Sequence, residues 1–429
     1  MSATLHVLHQ NRAIAGFLRV GHTGQRWLED RHACGRLPFR RFVFDAAHIA
    51  EQAQLLRELK RSGCEVVLDP NVAELSAVGK FSGAVAKLPW AHGERPWRPD
   101  DFGSRRNRSL AHEIAEFAVA HGVDAVLSAS HLDEADHSWR HHDLDMVHAL
   151  RRSLDEMGGR SISIDYQLIT TSAALKDPLY RTEAVNSMSD LPVENWWLRV
   201  SGFDARSTGT GTRRFIEAIR DFHAAGHPLI SDMVGGFPAL AASAAGGISG
   251  FAGGIAQKEA FRAAEYLRIP TGSGGGSGPR IYLPELDRFV SEEQLNAIVS
   301  ARGAKSRVMC ADTDCCPSGR EDMVDNYKGH FLYQRHRQID ELSRTPDTRK
   351  FGHFLLNQLG PAVRGARTLA RLKIPDPDVL NMIDREKKRL ILMNDALGAL
   401  YESSQETSRS EAARFRGGGA GLSVLSRRS

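Results

Sequence analysis

The sequence predicts an α/β chain folded as a (β/α)8 TIM-type barrel with a C-terminal helical extension. Three observations predict it. Between residues 41 and 310, short β-branched segments alternate with stretches of helical period, the rhythm of a parallel sheet with crossover helices. The strand segments are apolar at consecutive positions, as strands covered on both faces are. The chain has 429 residues, and one barrel takes about 250, which leaves room for additions. An open doubly wound sheet ranks second, because no Gly-x-Gly-x-x-Gly turn follows the first strand.

Residues 1–40 read as a polar, basic lead-in that carries one short strand, AGFLRV (15–20). RFVFD (41–45) opens the barrel and feeds the amphipathic helix HIAEQAQLLRELKRSG, with Gly63 past its end. CEVVLD (64–69) is β-branched and ends in Asp69-Pro70. The helix SLAHEIAEFAVAHG precedes DAVLSAS (124–130), and HHDLDMVHALRRSLDEMG precedes SISIDYQLI (161–169). WWLRVSGF (196–203), PLISDMVGG (228–236) and ISGFAGGI (248–255) follow, each leading into a helix. Trp196 and Trp197 are adjacent on a strand and so face opposite sides. TGSGGGSG (271–278) is a flexible loop. IYLPEL (281–286) and RVMC (307–310) complete the series. That makes nine strand candidates within 41–310, where a barrel needs eight. Residues 311–403 hold a cysteine/histidine segment and helices near 328–344, 348–372 and 377–403. Residues 404–429 are Gly-, Ser- and Arg-rich and read as a disordered tail.

The composition is that of a globular protein, 41% hydrophobic and 25% charged. No apolar run reaches the roughly 18 residues of a membrane-spanning helix, and the N-terminus lacks the pattern of a secretory signal. Five cysteines, an odd and clustered set, argue against a disulfide scaffold and for a reducing cytoplasm. A net charge of +4 permits an anionic partner without requiring one.

In a barrel the reactive groups lie where the strands end. Asp69 is the first candidate: a carboxylate pinned before Pro70 at a buried strand end. Desolvation is expected to raise its pKa toward general acid/base work; a helix cap is the alternative. Asp165, Asp204, Asp232, Asp312 and Asp314 also lie in or after strands. The segment 131–145, HLDEADHSWRHHDLD, can offer metal ligands or form a solvated loop. SGFDARSTGTGTRR (201–214) resembles a phosphate cradle at a helix N-terminus, with Arg206 and Arg213 as phosphate ligands; a plain helix start is the other reading. Gly253 and Gly254 let a flat base approach the backbone or allow close strand packing. Cys310, Cys315 and Cys316, followed by a helix with His330 and His336, suit a tetrahedral zinc ion. A buried thiol cluster is the alternative. The spacing Cys-x4-Cys-Cys needs a sharp turn, which Pro317 and Gly319 can supply.

Three of these segments resemble the tRNA-guanine transglycosylase superfamily. Asp69 matches the aspartate of that family's DSGGFQ-type motif, although the text here is LDPNVAEL. GFAGGIAQKEAF (250–261) is similar to its GGLAVGE base-recognition strand, with Gly253 and Gly254 as base-binding positions. The cysteine cluster and GHFLYQRHRQIDEL are similar to its Cys-x-Cys-x2-Cys…His zinc site. Cys310 and Cys315 match the outer cysteines, Asp312 stands at the middle one, and His330 matches the histidine.

The resemblance implies a pentosyltransferase that exchanges a purine or 7-deazapurine base in tRNA or DNA. Asp69 would manage protons, Asp312 or Asp232 would be the nucleophile, and a structural zinc would bind Cys310, Cys315, Cys316 and His330. Two other readings stand beside it. One is a non-catalytic relative that binds nucleic acid, an active partner subunit or a second copy of itself. The other is an unrelated metal-dependent barrel hydrolase or lyase using residues 131–145.

Overall fold

The computed structural model describes residues 13–22, 24–133, 137–255, 259–269 and 278–417, with side chains through residue 406. Its centre is a closed barrel of eight parallel strands. These are β1 (Ala15–Arg19), β2 (Arg41–Asp45), β3 (Glu65–Asp69), β4 (Ala125–Leu127), β5 (Ser163–Thr171), β6 (Asn195–Ser201), β7 (Leu229–Asp232) and β8 (Gly250–Gly254). Each strand pairs with the next, and β1 pairs with β8 to close the ring. The TIM-type barrel read from the alternation is present.

Its limits differ from residues 41–310. AGFLRV, assigned to the lead-in, is the first barrel strand, so the barrel strands run from Ala15 to Gly254. Two of the nine candidates lie outside the ring. IYLPEL supplies β9 (Ile281–Leu283), which pairs antiparallel with β10 (Arg288–Val290) in a separate hairpin. RVMC spans the end of a short helix, Lys305–Val308, and the two residues after it. The cause lies in local composition. The polar, basic residues around AGFLRV placed it in the lead-in, while the apolar look of 307–310 comes from Val308, which is buried in the helical layer.

Period-two alternation sorts the strand residues between inside and outside. Phe17, Val43, Val67, Trp197, Ile230 and Ala252 form an apolar layer inside the barrel. Trp196 instead packs outward against Phe222 and His227. Two residues further along each strand, the same inward face carries Arg19, Asp45, Asp69, Arg199, Asp232 and Gly254. The ring therefore has a polar layer at its C-terminal mouth, stacked on an apolar one. Asp165 points into the opposite end, where Trp197 Nε1 and Asn195 Nδ2 each donate to it at 2.8 Å. Burial raises its pKa to about 6, and its place at the N-terminal end makes it a stability residue.

The helical extension after the cysteine loop includes Tyr327–Arg344 and the long Pro377–Gly417. The latter continues through residues 404–417, expected to be disordered; residues 418–429 lie outside the described residues, as does the loop 271–278 apart from Gly278. No helix among the described residues is long and apolar enough to cross a membrane.

Candidate active site at the barrel mouth and a Cys3His centre

The polar layer is a closed ion network. Arg19 donates from Nε to Asp232 Oδ1 (2.7 Å) and from Nη2 to Asp232 Oδ2 (2.7 Å) and Asp69 Oδ2 (2.9 Å), with Nη1 on Asp45 Oδ1 (3.1 Å). Arg199 donates from Nε to Asp232 Oδ2 (2.9 Å) and from Nη2 to Asp69 Oδ2 (2.6 Å). Gln167 Nε2 adds a bond to Asp232 Oδ2 at 2.9 Å. Strand register explains the grouping: Asp45 lies opposite Asp69, and Arg199 opposite Asp232. Asp69-Pro70 then turns sharply. Asn71, at φ 56°, donates its N–H back to Asp69 Oδ1 (3.0 Å) and starts the short helix Val72–Leu75, which brings Glu74 to the mouth.

Two guanidiniums cannot neutralise four ionised carboxyls in a buried site, so protons must be kept on some of them. Burial works against the charge of Asp69, but Arg199 and Arg19 outweigh it and carry its pKa down to about 2. Asp232 is lowered in the same way. Burial, joined by the charge of Asp69, raises Glu74 and Asp45 above the usual carboxylate range. Glu74 Oε1 accepts the Tyr266 hydroxyl at 2.5 Å and lies 3.5 Å from Arg199 Nη1, while its Oε2 is buried without a partner. The mouth thus favours the ionised form of Asp69 and Asp232 and shifts Glu74 toward its protonated form. Tyr266 belongs to the short helix Ala263–Leu267, which covers this layer. The cover seats on Gly79, where a Cβ would meet the carbonyls of Glu265 and Arg268 at 2.0 and 2.3 Å.

The candidates divide accordingly. Asp69 and Asp232 come together, but the expected upward shift of Asp69 is reversed, because desolvation alone ignored the two arginines. Asp312 is not at a strand end. It accepts the amides of Asp314 (3.0 Å) and Cys315 (3.2 Å) and pairs with Arg337 (3.0 Å), outside the barrel network. Arg206 and Arg213 form no common cradle: Arg213 pairs with Glu217 on an exposed helix face at 2.8 Å, and Arg206 lines a separate cavity. Gly254 pairs with Arg19 in the ring, and a Cβ at Gly253 would sit 3.1 Å from Val234 O, so strand packing is close at Gly253. Arg19, Arg199, Gln167, Glu74 and Tyr266 were missed. The available signal was an arginine inside each of two apolar strands, since a charge there must be paired.

Among the described residues, 131–133 and 137–145 do not gather into a metal site. Asp143 accepts from the His131 backbone N–H (2.9 Å) and bonds its ring (2.6 Å). Asp133 is taken by His137 (3.0 Å), Arg140 (2.6 Å) and Tyr180 (2.8 Å). Residues 134–136 lie outside the described residues.

Among the described residues, one group converges closely enough to hold a metal ion: Cys310, Cys315, Cys316 and His330, whose ligand atoms all lie within 4.8 Å of one another. His330 Nδ1 is 3.3 Å from Cys315 Sγ and 3.4 Å from Cys316 Sγ, and the two sulfurs are 3.6 Å apart. A tetrahedron with Zn–S bonds near 2.3 Å and Zn–N bonds near 2.0 Å has edges of about 3.5–3.8 Å, so the donors fit. His330 Nε2 bonds Tyr282 O at 3.0 Å, which leaves Nδ1 free to face the sulfurs. The expected sharp turn is present, with Cys316 N–H on Asp312 O (2.8 Å) and Gly319 at φ 63°. His336 packs against Phe39 instead.

No protein-family model and no curated protein matches the chain. Solved structures similar to it include three barrel enzymes. Type I 3-dehydroquinate dehydratase from Clostridium difficile is 11% identical, with 60% of this chain and 91% of that chain covered, at a TM-score of 0.36. The Penicillium canescens endo-1,4-beta-xylanase is 12% identical, with 58% and 85% covered, at 0.37. A glucosidase from Croceicoccus marinus is 10% identical, with 61% and 65% covered, at 0.36. Such values say nothing of chemistry, and the barrel rests on its own strand pairing.

Proposed function

We propose that the chain is a glycosyl-transfer enzyme that exchanges a purine-type base at the C1′ carbon of a nucleic acid. The observation that carries this is that one barrel mouth brings together Asp69, held down at about 2 by Arg199 and Arg19, and Glu74, pushed up by burial and by the charge of Asp69. Groups pushed apart in this way divide into nucleophile and acid.

The hydrogen bonds suggest which aspartate attacks. Asp232 accepts five donors: Arg19 Nε and Nη2, Arg199 Nε, Gln167 Nε2 and Met233 N. That exceeds the roughly four lone-pair sites of a carboxylate, so Asp232 anchors the arginines. Asp69 Oδ1 accepts only the Asn71 amide and keeps a free lone pair. In this reading Asp69 Oδ1 attacks C1′, the C1′–N bond breaks, and Glu74 gives its proton to the departing base. The incoming base returns a proton to Glu74, attacks C1′ and expels Asp69. Asp69 thereby takes the nucleophile's role assigned from the sequence to Asp312 or Asp232, and Glu74 takes the proton role assigned there to Asp69. The cover at Tyr266 must lift to admit a base that has left its stack. Zinc on the Cys3His centre, closed by four protein ligands, would be structural.

Incubation with labelled guanine or a 7-deazapurine and either tRNA or DNA tests the reading. The expected result is incorporation into one of them, lowered at least about 100-fold in Glu74→Gln. Wild-type protein that incorporates no label into either polymer overturns it. The saturation of the carboxylates by arginine favours a second reading, a binding protein without catalysis, which predicts nucleic-acid binding and no covalent adduct.

A further inference from the structure

A second site lies apart from the barrel mouth. A cavity of about 290 Å³ opens between residues 204–206, after β6, residues 259–262, after β8, the β9–β10 hairpin and the helix Tyr327–Arg344. Five arginines line it: Arg206, Arg262, Arg280, Arg288 and Arg335.

Of the four carboxylates lining it, Asp287, Glu386 and Glu259 face arginines, and Asp204 has no cation partner among the described residues. Asp287 accepts from Tyr282 Oη (2.9 Å) and the Phe237 amide (2.9 Å), and also faces Arg389. Glu386 is bound by Arg288 and Arg389. Glu259 takes Arg335 at 3.3 Å. Asp204 Oδ1 accepts the Arg206 backbone N–H (2.7 Å). The arginine donors are not used up. The Nε–H groups of Arg280, Arg288 and Arg335 are buried without an acceptor, although Arg335 is only 2% exposed. No carboxylate pairs with the Arg206 or Arg280 side chain among the described residues. Among the described residues, Arg262 reaches Glu265 alone, at 3.7 Å in the open.

Several guanidiniums converging from different elements, with donors left over, suit a tetrahedral oxyanion better than a planar carboxylate. The loops after the last barrel strands are also where barrels most often seat phosphate. We infer that this cavity binds a phosphoryl group, carried either by a phosphomonoester or by a nucleic-acid backbone. The inference does not rest on the chemistry assigned to Asp69 and Glu74.

Calorimetric titration of the full chain with inorganic phosphate, at fixed ionic strength, tests it. Saturable binding is expected, weakened at least about tenfold in Arg206→Gln/Arg280→Gln and unchanged in Arg213→Gln, which lies outside the cavity. Arg206 is exposed, so Arg206→Gln alone carries the comparison should the double variant fail to fold. A 5′-phosphorylated mononucleoside and a short oligonucleotide without terminal phosphates separate the two sources. Arginine-dependent binding of the first alone supports a phosphomonoester, and of the second a backbone. Equal binding by wild type and variants, or no saturable binding of any of the three probes, overturns the inference.

Discussion

The barrel mouth and the cavity beside it are built from the same parts, buried carboxylates against buried arginines, yet Asp69 in the one and Glu259 in the other shift in opposite directions. At the mouth, Asp69 faces two guanidiniums and its pKa falls to about 2. At the cavity, Glu259 faces Arg335 and also the charge of Asp287; burial outweighs the single arginine and lifts it to about 7. Burial alone therefore does not set the sign of a shift. The number of cations per carboxylate does, because each added guanidinium stabilises the ionised form while the desolvation cost is met only once.

Four measurements break or sharpen that contrast. The largest effect is expected from Arg199→Met. It leaves Asp69 and Asp232 to share Arg19 alone in a buried site, and urea unfolding should show a loss of about 3–5 kcal/mol. A loss under about 1 kcal/mol would mean that water already screens the network.

Next is Glu259→Gln. A raised carboxyl contributes stability that is fully present below its unfolded value of 4.5 and lost as pH rises through about 7. The variant should therefore match wild type near pH 4 and exceed it by about 1–3 kcal/mol at pH 8. Equal stability at both pH values would remove the contrast.

Asp69 has the opposite sign. Its contribution is present above 3.8 and lost as pH falls through about 2. Asp69→Asn should lie below wild type at pH 6, and about 2 kcal/mol of the gap should close toward pH 2. A gap independent of pH would mean that Asp69 is not ionised in the fold. The smallest effect belongs to Tyr266→Phe. It removes the hydroxyl that Glu74 accepts and should cost about 1 kcal/mol, with faster amide exchange confined to residues 259–269.

Much of this was readable one residue at a time. The strand–helix alternation and doubly covered strands announced a barrel, and Asp69 and Asp232 sat at strand ends. Three cysteines and His330 carried their own donor chemistry. Arg19 escaped because a charged residue at the end of a five-residue strand, inside a polar and basic lead-in, looks like surface until the ring closes over it. Glu74 escaped because only the turn at Asn71 swings it to the mouth, and Glu259 because its value depends on Arg335, 76 positions away. Asp312 misled because RVMC has the composition of a strand, while its packing partners make it a helix end.

By itself, then, the sequence determined the barrel and the grouping of Cys310, Cys315, Cys316 and His330, since both follow from local periodicity and from donor types within a short span. Only the tertiary structure decided which carboxyls are ionised, that Arg19 and Arg199 hold them, and that five arginines surround one cavity. Proton affinities and unfilled donors are set by neighbours distant in the chain, and those neighbours meet only when the strands close into a ring.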